Sequence, residues 1–62
     1  MMERKINQLA PGAVMIHEGS KHTVVTNRPH NVRANKNILQ LKDRFGIVQT
    51  YTIESNKSVI AH

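Results

Sequence analysis

Sixty-two residues, 39% of them hydrophobic, with no cysteine and a formal net charge of +5, describe one small basic domain, 1–62. A chain this short removes only about 60% of its unfolded surface on folding, so its core has to be compact, and without cysteine there is neither a disulfide framework nor a thiolate metal site. No run approaches the roughly 20 apolar residues that span a membrane, and MMERKINQLA has no apolar signal core, so a cytoplasmic location and no membrane partner are expected.

The position of the charge says more than its sum. Between Gly19 and Lys42 there is no acidic residue, while Lys21, Arg28, Arg33, Lys36 and Lys42 are all cationic. On the flanks Arg4 and Lys5 offset Glu3 and Glu18, and Arg44 and Lys57 offset Asp43 and Glu54. The excess therefore lies in the middle third, where it sets up a one-sided potential that attracts polyanions. A few net charges also serve solubility, the plainer reading.

In chain order, Ile6 and Leu9, separated by polar residues, suit one helical turn or a short irregular strand. Pro11-Gly12 punctuates, and Ala13 to His17 alternates as a strand with one core face. After the Glu18-Gly19-Ser20 turn, Lys21 to Thr26 is rich in β-branched residues, with Val24 expected inward and Val25 outward. A two-residue and a three-residue loop here predict opposite faces for Val24, so the register of this first hairpin stays open. Asn27 to Asn37 has Asn at four positions, one Pro, and only Val32 and Ala34 as apolar members, which reads as a long loop carrying most of the basic patch.

The stretch Asn37 to Glu54, NILQLKDRFGIVQTYTIE, reads as a second hairpin. Asp43 is the favoured first residue of a type I turn, and Gly46 can adopt the left-handed conformation that leads such a turn into a bulge. With Asp43 opposite Ile47, Leu41 faces Gln49, Leu39 faces Tyr51 and Asn37 faces Ile53. Leu39, Leu41, Ile47, Tyr51 and Ile53 then share one face, whereas a two-residue loop would strand Tyr51 and Ile53 on the wrong side. A turn at Ser55 to Ser58 and a last strand with Val59 and Ile60 complete about five strands. The expected fold class is all-β, a small five-stranded SH3-like barrel or a strongly bent antiparallel sheet.

Enzymatic chemistry finds little support. A hydrolytic carboxylate pair would have to come from Glu3, Glu18, Asp43 and Glu54, two of which sit in tight turns where local hydrogen bonding is their usual task. His17 and His22 can approach each other across the first turn, half a metal site that no nearby carboxylate or thiol completes. No strained Gly-x-Ser-x-Gly turn and no phosphate-cradling glycine loop is present. Neither enzyme activity nor a cofactor or metal is expected.

Pro11-Gly12, Val14, Ile16, Glu18-Gly19, His22 and Val24 resemble the opening of the N-terminal domain of translation elongation factor P. Ile38-Leu39-Gln40-Leu41-Lys42 resembles that family's Val-Lys-Leu-Arg strand, and Val48 to Ile53 its partner, so the likeness spans about residues 6 to 57. It implies a five-stranded SH3-like (KOW-like) barrel with a basic loop at one end, the end that in the family faces RNA. The family's modifiable lysine sits in a Pro-Gly-Lys-Gly loop. Here Pro29 matches, but His30-Asn31 replaces the Gly and Lys, and the factor's other two barrels are missing.

The leading expectation is a non-enzymatic module that binds RNA or another polyanion through the 27–37 loop, using Lys21, Arg28, His30, Arg33, Lys36 and Lys42. Phe45 at the hairpin tip either stacks on bases or folds back over the barrel end. The competing expectation is a protein-interaction or assembly module, of the kind phages and mobile elements encode. It would dock through a sheet edge or through an outer apolar strip of Val25, Ile38 and Val48.

Overall fold

The computed structural model describes residues 2–61, leaving Met1 and His62 outside the described residues. The chain is all-β. Six strands, β1 (Met2–Lys5), β2 (Val14–His17), β3 (Ser20–Pro29), β4 (Lys36–Lys42), β5 (Val48–Glu54) and β6 (Ser58–Ala61), form one antiparallel sheet in the order β1-β6-β2-β3-β4-β5. The sheet is not closed: β1 and β5 are its two edges. Six strands replace the five expected, because Met2–Lys5 pairs with β6 before the chain turns through a 3-10 turn at Ile6–Gln8. The first segment is thus both the strand and the helical turn that its spacing left open.

The second hairpin has the expected register. Leu41 lies opposite Gln49, Leu39 opposite Tyr51 and Asn37 opposite Ile53. The turn sets it, since Gly46 has φ +82° and its N–H donates to the Asp43 carbonyl at 3.1 Å. Asp43 Oδ1 accepts from the N–H groups of Phe45 at 2.8 Å and Ile47 at 3.0 Å. A side-chain acceptor that mimics a backbone carbonyl is why Asp leads such turns. The first hairpin closes with the two-residue Glu18-Gly19 loop, His17 opposite Ser20. Both loop residues have positive φ, +51° and +79°, the signature of a type I′ turn whose twist matches the strands. That register turns Val24 inward, 1% exposed.

The core lies on the concave face and consists of Ile6, Leu9, Met15, Val24, Leu39, Leu41 and Ala61, with Ala13, Tyr51, Ile53 and Val59 packed against it. Its concavity has a visible cause. Between Val24 and Thr26 the β3–β4 register slips, leaving Val25 as an extra residue, and a bulge bends and twists the strand that carries it. The result can be measured across the sheet: the rings of His17 on β2 and Tyr51 on β5 stand 4.6 Å apart, centroid to centroid, although β3 and β4 intervene. In a flat sheet the three strand spacings alone would put them at least about 14 Å apart.

The 27–37 segment is not one long loop. β3 runs on to Pro29 and β4 begins at Lys36, so only residues 30–35 are loop. The reason is a set of polar contacts that apolar periodicity does not report. Asn27 Nδ2 donates to the carbonyls of Ile6 at 2.9 Å and Leu9 at 2.8 Å. Asn37 Nδ2 donates to Asn27 Oδ1 at 2.8 Å, and Ser55 Oγ donates to Asn37 Oδ1. These amides occupy inward strand positions and tie the 3-10 turn, β3, β4 and the β5–β6 turn together.

Candidate polyanion-binding face

Alternation along β4 buries Asn37, Leu39 and Leu41 and leaves Lys36, Ile38, Gln40 and Lys42 on the convex side. Pairing extends that side onto β3, where Thr23 lies opposite Lys42, Thr26 opposite Gln40 and Arg28 opposite Ile38. On β5 it continues as Val48, Thr50, Thr52 and Glu54. Lys21, two residues before Thr23, shares this face and lies opposite Ile16. Four of the six residues singled out from the sequence, Lys21, Arg28, Lys36 and Lys42, therefore stand on one convex face rather than on a loop.

Their surroundings differ. Lys21, Arg28 and Lys42 are exposed, and no carboxylate lies within ion-pair distance of them among the described residues. Lys21 and Lys42 occupy diagonal positions about 7 to 8 Å apart at Cα. Arg28 lies about 15 Å further along the strand direction. Two shallow depressions, about 270 Å³ between Thr26, Gln40 and Thr50 and about 210 Å³ beside Pro29 and Asn31, meet at Arg28 and Ile38. Lys36 Nζ instead lies 3.7 Å from Glu54 Oε1, a partly exposed pair that dilutes its charge.

The loop contributes less than its sequence suggests. Arg33 is exposed, but the His30 ring is engaged by its own loop, Nδ1 accepting the N–H groups of Val32 and Arg33 at 3.0 Å each. That use fixes the proton on Nε2 and makes His30 a loop-shaping residue. At the far end Phe45 is 73% exposed and does not fold back over the sheet. The Arg44 guanidinium sits over its ring at 4.9 Å. An arginine stacked on an exposed ring is a platform on which a base can stack.

Three of the four acidic residues have local contacts of their own. Asp43 is held by its turn, Glu54 lies beside Lys36, and Glu18 Oε1 lies 3.5 Å from His17 Nε2. His17 and His22 do approach, with ring centroids 5.5 Å apart at an interplanar angle of 85°. What joins them is Tyr51, brought over by the bend, a contact between distant strands that no local spacing announces. Burial holds the His17 imidazole below its ordinary pKa, with His22 and Lys57 pushing the same way and Glu18 opposing. Among the described residues no three His, Cys, Asp or Glu side chains gather in a metal-holding group.

The supposed outer apolar strip is interrupted: Gln40 and Thr50 separate Ile38 from Val48, and Val25 sits at the bulge. A cleft of about 540 Å³ marks the seam where the sheet fails to close, but it mixes Lys36 and Lys57 with Glu18 and Glu54 and so concentrates no charge of one sign. Among the described residues no helix is long and apolar enough to cross a membrane. No protein-family model, no curated protein and no solved structure matches this chain.

Proposed function

We propose that this protein is a non-enzymatic binding module for single-stranded RNA or a similar polyanion, and that its site is the convex face of β3 and β4 rather than the 30–35 loop. The observation that carries the reading is the co-facial set Lys21, Arg28 and Lys42, which has no ion-pair partner among the described residues and shares a face on which Glu54 is the one acidic strand position of β2 to β5. Like charges held on one face repel in the free protein and are relieved when phosphates neutralise them and release counterions. The Arg44–Phe45 platform in the β4–β5 turn adds a stacking surface just beyond the Lys42 end of that face.

The test is retention on a labelled single-stranded RNA of about 15 nucleotides, a length within the range that small single-strand-binding modules cover. The wild type binds at about 50 mM salt, and binding weakens as salt rises. Replacing Lys21, Arg28 and Lys42 together with Glu abolishes it, while the circular dichroism spectrum stays that of a β protein because all three side chains are exposed. No retention of RNA, DNA or heparin by the wild type at low salt would end the proposal.

A further inference from the structure

The two sheet edges are unequally protected. β1 is four residues long and carries Glu3, Arg4 and Lys5, the charged, short kind of edge that resists pairing with another strand. β5 is seven residues long, VQTYTIE, with no Pro, no Lys and no charge before Glu54. It pairs only with β4, its other side being an edge of the sheet. Beside it at the hairpin tip lie exposed apolar side chains, Phe45 at 73%, Ile47 at 55% and Val48 at 45%.

The hydrogen-bonding phase of that edge follows from its two ends. Asp43 N–H donates to the Ile47 carbonyl at 3.0 Å, and Ser55 N–H donates to the Asn35 carbonyl at 2.9 Å. Bonded and non-bonded pairs alternate along an antiparallel ladder, so Gln49, Tyr51 and Ile53 turn their backbone groups toward β4. Val48, Thr50 and Thr52 therefore direct N–H and C=O groups out of the sheet, where no strand among the described residues receives them.

We infer that β5 is a self-association edge and that its occupant is β5 of a second copy, antiparallel about a two-fold axis at Thr50. This inference stands on the edge alone and does not depend on the polyanion reading. In that register the outward-directed residues meet each other, Val48 with the partner's Thr52 and Thr50 with the partner's Thr50, closing about six backbone hydrogen bonds. On the concave side Ile47 meets the partner's Ile53, and Gln49 meets the partner's Tyr51. Each is a pairing of β-branched, aromatic or neutral polar residues with no like charges opposed. A two-fold at Tyr51 would instead carry the ladder onto Glu54, where the chain already turns away, Asn7 N–H donating to the Ser55 carbonyl at 2.9 Å. The joined sheet would have twelve strands, with the convex faces of both copies on one side.

An edge contact alone is small, so association is weak and visible by concentration. In sedimentation equilibrium the wild-type mass rises from the 7.0 kDa of one chain toward twice that value between about 10 µM and 1 mM, weak affinities by any protein-interface measure. Thr50→Pro removes an N–H that β4 does not use and leaves the protein monomeric throughout. A second variant tests the axis without depending on the first. The chain has no cysteine, so Thr50→Cys introduces a single thiol, which in the bonded pair on the axis faces its twin at a Cα separation of about 5.5 Å, suited to a disulfide. Mild oxidation then links Thr50→Cys into a covalent dimer, whereas Thr52→Cys, about 13 Å from its twin, stays monomeric on a non-reducing gel. A wild type that is monomeric at every concentration, or equal cross-linking of the two cysteine variants, overturns the inference.

Discussion

Asn37 donates its side-chain amide to Asn27 Oδ1 at 2.8 Å, and Asn27 passes the connection on to the carbonyls of Ile6 and Leu9. Asn37 is 7% exposed. A buried amide is tolerated only when its hydrogen bonds are made, and here the pair satisfies carbonyls that the 3-10 turn leaves without strand partners. The 3-10 turn is thereby latched to β3 and β4, which closes one end of the core over Ile6 and Leu9.

Removing that latch is costly. Asn27→Ala leaves the Leu9 carbonyl and the Asn37 side-chain N–H without partners, the Ile6 carbonyl keeping only the Leu9 N–H, and should destabilise by about 2 to 4 kcal/mol, much of the roughly 3 to 9 kcal/mol a domain of this size possesses. Asn31→Ala, in the exposed loop, should be nearly neutral. Urea denaturation of both variants measures the difference, and equal small effects would mean the network contributes nothing.

The second hairpin predicts a sharp contrast between neighbours across one pair. Leu41, 1% exposed, should cost about 2 to 5 kcal/mol on replacement by Ala, and Gln49, directly opposite and exposed, less than about 0.5 kcal/mol. Thermal melts decide it, and comparable losses at the two sites would contradict the register.

Glu18 is a correctable defect. It is the non-glycine residue held at positive φ, +51°, in the first position of a type I′ turn that prefers Asn or Asp followed by Gly. Glu18→Asn should stabilise by about 0.5 to 1 kcal/mol, a rise of a few degrees in melting temperature for a domain this small. A lowered melting temperature would show that the Glu18 side chain matters more than its backbone.

How much of this was legible depended on whether the determinant was local. Asp43 and Gly46 sit three residues apart and announce their turn, so the β4–β5 register could be read directly. Ile47 alternates in phase with the core residues of β5 yet is 55% exposed, because it flanks the turn beyond the reach of the concave face. Asn27, Arg28 and Pro29 carry no strand signal, and their strand is held by a slip at Val25 and by amide contacts to residues about twenty positions away. The cationic residues were found by counting charge, but their common face needed the bulge and the register, neither of which composition contains.

His17 should make stability depend on pH. Burial favours its neutral ring, so its folded pKa lies below the 6.5 of an ordinary histidine, and below about pH 6.5 the unfolded chain binds a proton that the folded protein resists. Its contribution is complete above that value and is lost as pH falls through the folded pKa. The groups facing the ring are His22 and Tyr51, with Glu18 and Lys57 nearby. Between pH 7.5 and 5.5 the melting temperature should therefore fall, and His17→Phe, which keeps an aromatic ring against Tyr51, should fall less. Parallel profiles for the two proteins would remove His17 from the account.

Salt separates the cationic convex face from the stacking platform at the β4–β5 turn. If Lys21, Arg28 and Lys42 each neutralise one phosphate of a single strand, log K falls against log salt with a slope of about −2, and each cation replaced by Gln lowers that slope by about 0.7. Phe45→Ala acts differently. It removes the ring on which Arg44 rests and should weaken binding by about 1 to 3 kcal/mol while leaving most of the slope in place, since stacking releases few counterions. Lys57→Gln, in the seam beside Glu54, should change neither quantity. Titrations of a fluorescent single-stranded RNA at three or four salt concentrations give both numbers for every variant. A slope unaffected by Lys21→Gln, Arg28→Gln and Lys42→Gln would show that the polyanion lies somewhere other than the convex face, whatever the affinity.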